Sequence, residues 1–163
     1  GSSVLGPDSG SCTSSGAIHG TSGLSGGGDQ GFWVTSDQCI PVDPVTTPDL
    51  VLAGMYRTTG DVFARIYLQI FSDGNCTAPI GFSSSVFGGT SAGWNRIAGV
   101  VTPGSGVGSV LVFADTIPST SGGPSFTVDW DRFYLGVEPQ IYLDDFEFES
   151  GSACHWSAVV GEI

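Results

Sequence analysis

The sequence predicts an all-β protein, a sandwich or barrel built from many short strands. Three observations predict it. Apolar and other residues alternate with period two in several stretches, the clearest being 61–71. No window repeats apolar residues at helical spacing over three turns, because Gly or Pro interrupts most windows. Clusters rich in Gly, Ser, Thr and Pro at 88–93, 102–108 and 118–124 separate the alternating stretches at the spacing of strand-connecting turns.

The first 30 residues hold much Gly and Ser, yet Val4, Leu5, Ile18 and Leu24 suffice to dock edge strands. Strands are predicted near 15–21 and 31–41. A third follows around Leu50–Tyr56, where Val51, Ala53 and Met55 alternate with Leu50, Leu52 and Tyr56. The segment DVFARIYLQIF (61–71) reads as a long central strand. Val62, Ala64, Ile66, Leu68 and Ile70 make one aliphatic face, and Phe63, Arg65, Tyr67, Gln69 and Phe71 make the other. It stops at Ser72-Asp73-Gly74-Asn75, a turn signal. Further strands are expected at 79–86, 93–100, 108–114, 125–135 and 140–148.

Composition narrows the function. The 163 residues suit one domain with its own core. Asp and Glu number 16 against four Arg and no Lys, a formal charge of -12. So few cations cannot neutralise many phosphates, so nucleic acid is not an expected partner, and anionic membrane surfaces repel the chain. No apolar run approaches the length of a membrane span, so no membrane insertion is expected. The absence of an initiator Met and of a signal-peptide pattern at Gly1 suggests a processed or excised chain. Cys12, Cys39, Cys76 and Cys154 are too scattered for a metal knuckle or a redox pair. They read as two disulfides, which with the composition indicates an extracellular, secreted protein.

Three stretches carry a family likeness: QCIPVDP (38–44), LQIFSDGNCTAPIG (68–81) and FTVDWDRFYL (126–135). Together with GWNRIAG (93–99), they resemble secreted bacterial jelly-roll domains similar to carbohydrate-binding modules. The likeness spans roughly residues 15–136 and implies a jelly-roll β-sandwich of two antiparallel sheets. It also implies that Cys39 pairs with Cys76, a loop whose closure stabilises by roughly 4 kcal/mol, that Trp94 lies in the core, and that Asp131 is the closing-strand acid.

Such modules usually begin with a strand like NGDFESG, and nothing in 1–16 looks like that. LDDFEFESGSACHW (143–156) does, with Phe146 and Phe148 alternating against Asp145, Glu147 and Glu149. The tail can complete its own sandwich, complete a neighbouring copy, or begin a following module. The favoured expectation is the second: a sandwich over 1–136 and, over 137–163, a linker and strand-donating tail. Leu143, Phe146, Phe148 and Trp156 would then fill a sheet edge of a neighbouring subunit. Cys12 then becomes the natural partner of Cys154. The protein would be a non-catalytic structural subunit that assembles with copies of itself head to tail into filaments. The alternative is a carbohydrate-binding module that takes polysaccharide.

Candidate sites follow from chemistry. His19 and His155 lie near the chain ends without a nucleophile motif, and the acids of the last third serve solubility as readily as catalysis, so no catalytic residue is assigned. No cofactor is expected except structural calcium, for which the resemblance implies Asp131 with Glu147 or Glu149; the plain alternative is a solvated acidic edge. A saccharide needs stacking rings flanked by polar side chains. Trp33, Tyr56, Tyr67, Trp130 and Tyr134 are available, and Tyr67, Arg65 and Gln69 share the non-aliphatic face of the long strand. Rings that merely fill the sandwich or a subunit contact are the competing explanation. Asn75-Cys76-Thr77 matches a glycosylation acceptor, incidental in a bacterial protein.

Overall fold

Turn-rich connections and alternating side chains fold the chain, in a computed structural model, into strands stacked as two antiparallel sheets. The structure describes residues 17–22, 31–36, 38–43, 45–46, 49–120 and 125–137, and the backbone of 2–5. The strands are β1 (Ser2–Leu5), β2 (Ala17–Ser22), β3 (Phe32–Thr35), β4 (Ile40–Pro41), β5 (Leu50–Thr59), β6 (Val62–Phe71), β7 (Pro79–Phe82), β8 (Val86–Gly88), β9 (Asn95–Val101), β10 (Ser109–Pro118) and β11 (Phe126–Val137). No helix occurs among the described residues, and none there is long and apolar enough to cross a membrane.

One sheet has five strands in the order β1-β2-β11-β5-β9. The other has six: β3-β10-β6-β7, with β4 also on β10 and β8 also on β6. β5 turns into β6 through Gly60-Asp61, where Gly60 takes a φ of 88°, a left-handed conformation that a side chain would strain. This hairpin crosses from one sheet to the other, so β5 and β6 face each other across the core.

The core lies between the sheets. Leu50, Leu52 and Tyr56 of β5 meet Val62, Ala64, Ile66 and Leu68 of β6, with Val110, Val112 and Ala114 of β10 and Phe126, Val128 and Trp130 of β11. The aliphatic face of the long strand is therefore the buried one. Ile70 packs against the core only in part, and Phe71 is buried where the β6–β7 register shifts.

The structure differs from the sequence reading in several places, among them the single strand expected over 31–41, which is the two strands β3 and β4. The expected strand over 79–86 is two strands, because Ser83 breaks it. Ser83 donates its N–H to the Leu68 carbonyl, and its hydroxyl accepts from the Leu68 amide, so the chain bends and pairs with β6 twice. Tyr56 and Trp130, considered as ring platforms, are fully buried and packed on each other; the indole donates to the Thr116 hydroxyl. Trp94, expected in the core, stands on the outer side of the five-stranded sheet next to β9, half-buried under the Arg57 guanidinium.

Cys39 and Cys76 form a disulfide with Cα atoms 5.8 Å apart, tying the approach to β4 to the turn after β6. The place beside β11 is taken by β2, whose outer edge in turn carries β1. N-terminal strands thus line the sheet next to the closing strand, in keeping with the edge strands expected in the first 30 residues. The tail residues Leu143, Phe146, Phe148 and Trp156, together with Glu147, Glu149, Cys12 and Cys154, lie outside the described residues.

Candidate functional site

The outward side chains of the six-stranded sheet form a ring-rich face. Alternation places Arg65, Tyr67 and Gln69 of β6 opposite the aliphatic set, and Leu111, Phe113 and Asp115 of β10 opposite Val110, Val112 and Ala114. Register aligns them in cross-strand rows. One row runs Trp33, Asp115, Arg65, Phe87 across β3, β10, β6 and β8. The next holds Thr35, Phe113 and Tyr67, and a third holds Leu111, Gln69 and Phe82.

Phe113 sits at the middle of the rings. Trp33 stacks on one side of it, centroids 6.1 Å apart at 22°, and Tyr67 on the other, 5.6 Å apart at 23°. Phe82 meets Tyr67 and Phe113 edge-on, at 5.5 and 6.1 Å. Three rings at the rim of this group stay open to solvent: Trp33 is 64% exposed, Phe82 59% and Phe87 63%. Large apolar side chains clustered at that exposure mark a contact surface rather than chance.

Polar chemistry sits between the rings. Arg65 grips Asp115 through Nε and Nη2 at 2.5 and 2.6 Å, and the Tyr67 hydroxyl donates to the same carboxylate at 3.2 Å. Both groups respond. The hydrogen bond to Asp115 holds the Arg65 guanidinium above its ordinary range, and burial, then the Asp115 charge, pushes the Tyr67 phenol up. The pair is closed and locally neutral, so it can orient hydroxyl groups without attracting ions. Trp33 and Phe87 bracket it from three strand spacings apart, about 14 Å.

Arg65, Tyr67 and Gln69 thus share one outward face, with Trp33 beside them. Tyr134 lies elsewhere, opposite Ala53 in the five-stranded sheet. Sequence reasoning missed Asp115 because the expected strand ended at 114, and missed Phe113 because the alternation within that strand was not followed; reading it through β10 (SVLVFADTIP) finds both. Phe82 and Phe87 carried no such signal, since their strands are too short to show a period.

Asp131 is 3% exposed at the β-bulge of β11 and accepts a hydrogen bond from the Arg132 amide. Among the described residues no group of three or more His, Cys, Asp and Glu side chains is placed to hold a metal. Asp131 alone is not a calcium site, and the acids expected to join it fall outside the described residues.

The outer face of the five-stranded sheet is polar. His19, Asp129 and Arg57 stand in one row across β2, β11 and β5. Asp129 receives both neighbours, with Nδ1 of His19 at 2.5 Å and Nε of Arg57 at 2.6 Å. Thr59 and Thr127 bond each other at 2.9 Å one row above.

The sequence matches no protein-family model and has no significant similarity to a curated protein. Solved structures do resemble the fold. A carbohydrate-binding module of family 61, TmCBM61 in complex with β-1,4-galactotriose, matches with a TM-score of 0.51 at 13% identity, over 84% of this chain and 81% of that one. A family 4 carbohydrate-binding module matches with a TM-score of 0.50 at 14% identity, over 78% of this chain and 87% of that one. At such identity the likeness speaks for architecture: the chain has the jelly-roll β-sandwich fold of carbohydrate-binding modules.

Proposed function

We propose that this is a non-catalytic, extracellular carbohydrate-binding domain, and that a neutral polysaccharide chain lies across the strands of the six-stranded sheet. The observation that carries the reading is the row Trp33–Asp115–Arg65–Phe87, two exposed rings flanking a closed ion pair. The rings offer apolar surface to the C–H faces of sugars, and the pair offers fixed donors and acceptors to hydroxyl groups. Neutrality of the ligand follows from charge: Arg65 is already satisfied by Asp115, and the chain carries a net -12. The galactotriose bound by the family 61 module supports saccharide as the ligand class.

Binding is favoured over hydrolysis by geometry. Thr21, His19 and Asp129 line up as hydroxyl, imidazole and carboxylate, but the Thr21–His19 separation is 3.4 Å and the site lies on an open sheet. The residues around it are strand residues paired in the β-ladder, and an open sheet face does not enclose a reacting group.

The test is retention. Affinity electrophoresis through gels containing soluble β-galactan, β-glucan, xylan or mannan should show retardation with at least one, and Trp33→Ala should remove it while leaving the melting temperature within about 2 °C. Failure of every neutral polysaccharide to retard the wild-type chain contradicts the reading.

A further inference from the structure

The polar face of the five-stranded sheet is independent of the ring-rich face and has its own chemistry. Arg57 is pinned on two sides. Its Nε donates to Asp129 at 2.6 Å, and its guanidinium carbon lies 4.8 Å from the centroid of the Trp94 ring. Both contacts fix the plane of the fork. They leave the Nη1–Nη2 edge with no hydrogen-bond partner among the described residues, on a side chain 33% exposed. His19 is pinned in the same way through Nδ1, and its Nε2 has only the distant Thr21 hydroxyl.

The balance of donors and acceptors defines the ligand. Both oxygens of Asp129 are already used, one by the His19 imidazole and one by the Arg57 guanidinium. What remains on offer is chiefly the guanidinium edge, with the Thr21 hydroxyl nearby, since Thr59 and Thr127 bond each other. A planar guanidinium edge held rigid accepts a carboxylate through two parallel N–H bonds, a match that an ammonium cannot reproduce. The indole, half-buried beneath the guanidinium, leaves part of its surface for a sugar ring to touch.

We infer that this strip is a second saccharide site, selective for an acidic sugar. The carboxylate of a uronate takes the free edge of Arg57, and its ring rests against Trp94. The net charge of -12 opposes approach of an anion from afar. Ions screen that repulsion over about 8 Å at physiological salt, whereas the guanidinium contact acts at hydrogen-bond distance. With a neutral chain on one sheet and an acidic one on the other, the domain would bridge two polysaccharides.

The experiment is a titration of the 15N-labelled full chain with trigalacturonate, with galactotriose as the neutral control. Trigalacturonate should shift the resonances of Arg57, Trp94, Asp129 and His19. Arg57→Lys, which keeps the charge beside Asp129, should weaken binding on the order of tenfold because the fork is lost. Trp94→Ala should weaken it as well, and Trp33→Ala should leave it unchanged. The last variant separates this site from the neutral one, so either can fail alone. The inference is overturned if trigalacturonate causes no shifts on this face, if acetate binds there equally well per carboxylate, or if Arg57→Lys and Trp94→Ala both bind like the wild type.

Discussion

On the six-stranded sheet the outward residues of β6 and β10 include Arg65, Tyr67, Phe113 and Asp115; on the five-stranded sheet those of β5 and β11 include Arg57, Thr59, Thr127 and Asp129. Each face holds an Arg–Asp pair directly across neighbouring strands. Arg65 uses two nitrogens on Asp115 and closes the pair, among rings. Arg57 uses one nitrogen on Asp129, shares that carboxylate with His19, and stands among hydroxyls. The same two residue types therefore make a neutral spacer on one face and an open donor on the other. What surrounds a charged pair, and how many of its donors are consumed, decides what it can recognise.

The largest expected effect sharpens the contrast between the two sides of a single strand. Leu68→Ala on the inner side of β6 should cost about 2–5 kcal/mol by urea unfolding, because it leaves a cavity in the shared core. Gln69→Ala next to it, on the outer side, should stay within about 0.5 kcal/mol. Equal losses at both positions would break the assignment of faces.

Next comes the pair itself. Asp115→Ala strands Arg65 and removes the acceptor of the Tyr67 hydroxyl, so it should destabilise by about 1–3 kcal/mol. It should also weaken retention on neutral polysaccharide, since the Tyr67 ring loses its anchor. Asp129→Ala should destabilise to a similar degree yet leave that retention intact. Loss of neutral-polysaccharide binding in the second variant alone would invert the roles given to the two faces.

Much of this contrast was legible in the chain. The period-two pattern of 61–71 placed Ile66 and Leu68 inside and Arg65, Tyr67 and Gln69 outside, because a half-buried strand forces that alternation. The paired motifs around Cys39 and Cys76 led to the disulfide. The role of Trp94 was misread because a motif position says nothing about which face the strand turns outward. The ring cluster was only partly visible: Phe82 and Phe87 reach it through two short strands created by the Ser83 bend. The cross-strand rows depend on register, which no single segment encodes.

The smallest effects concern pH. Burial raises the Tyr67 phenol above its ordinary value near 10, so the folded state prefers the neutral form. That contribution is fully present below pH 10 and is lost as pH rises through the folded value, so stability and neutral-polysaccharide binding should decline together on that limb. On the acid side, the Thr77 hydroxyl, followed by the amides of Thr77 and Ala78, holds Asp73 below its ordinary value of 3.8. Its contribution is present above that value and fades as pH falls through the folded one, affecting the turn after β6 with little change at either face. A pH titration of the melting temperature, repeated with Tyr67→Phe, should show the alkaline decline reduced in the variant.

The most direct test of the account maps where a neutral oligosaccharide binds. In a titration of the 15N-labelled chain with a neutral oligosaccharide of the polysaccharide that retards it best, the shifted amides should cluster at Trp33, Tyr67, Phe82, Phe87, Phe113 and Asp115. Those of His19, Arg57, Trp94 and Asp129 should stay in place. Shifts centred on the five-stranded sheet, with the six-stranded face unmoved, would contradict the central claim.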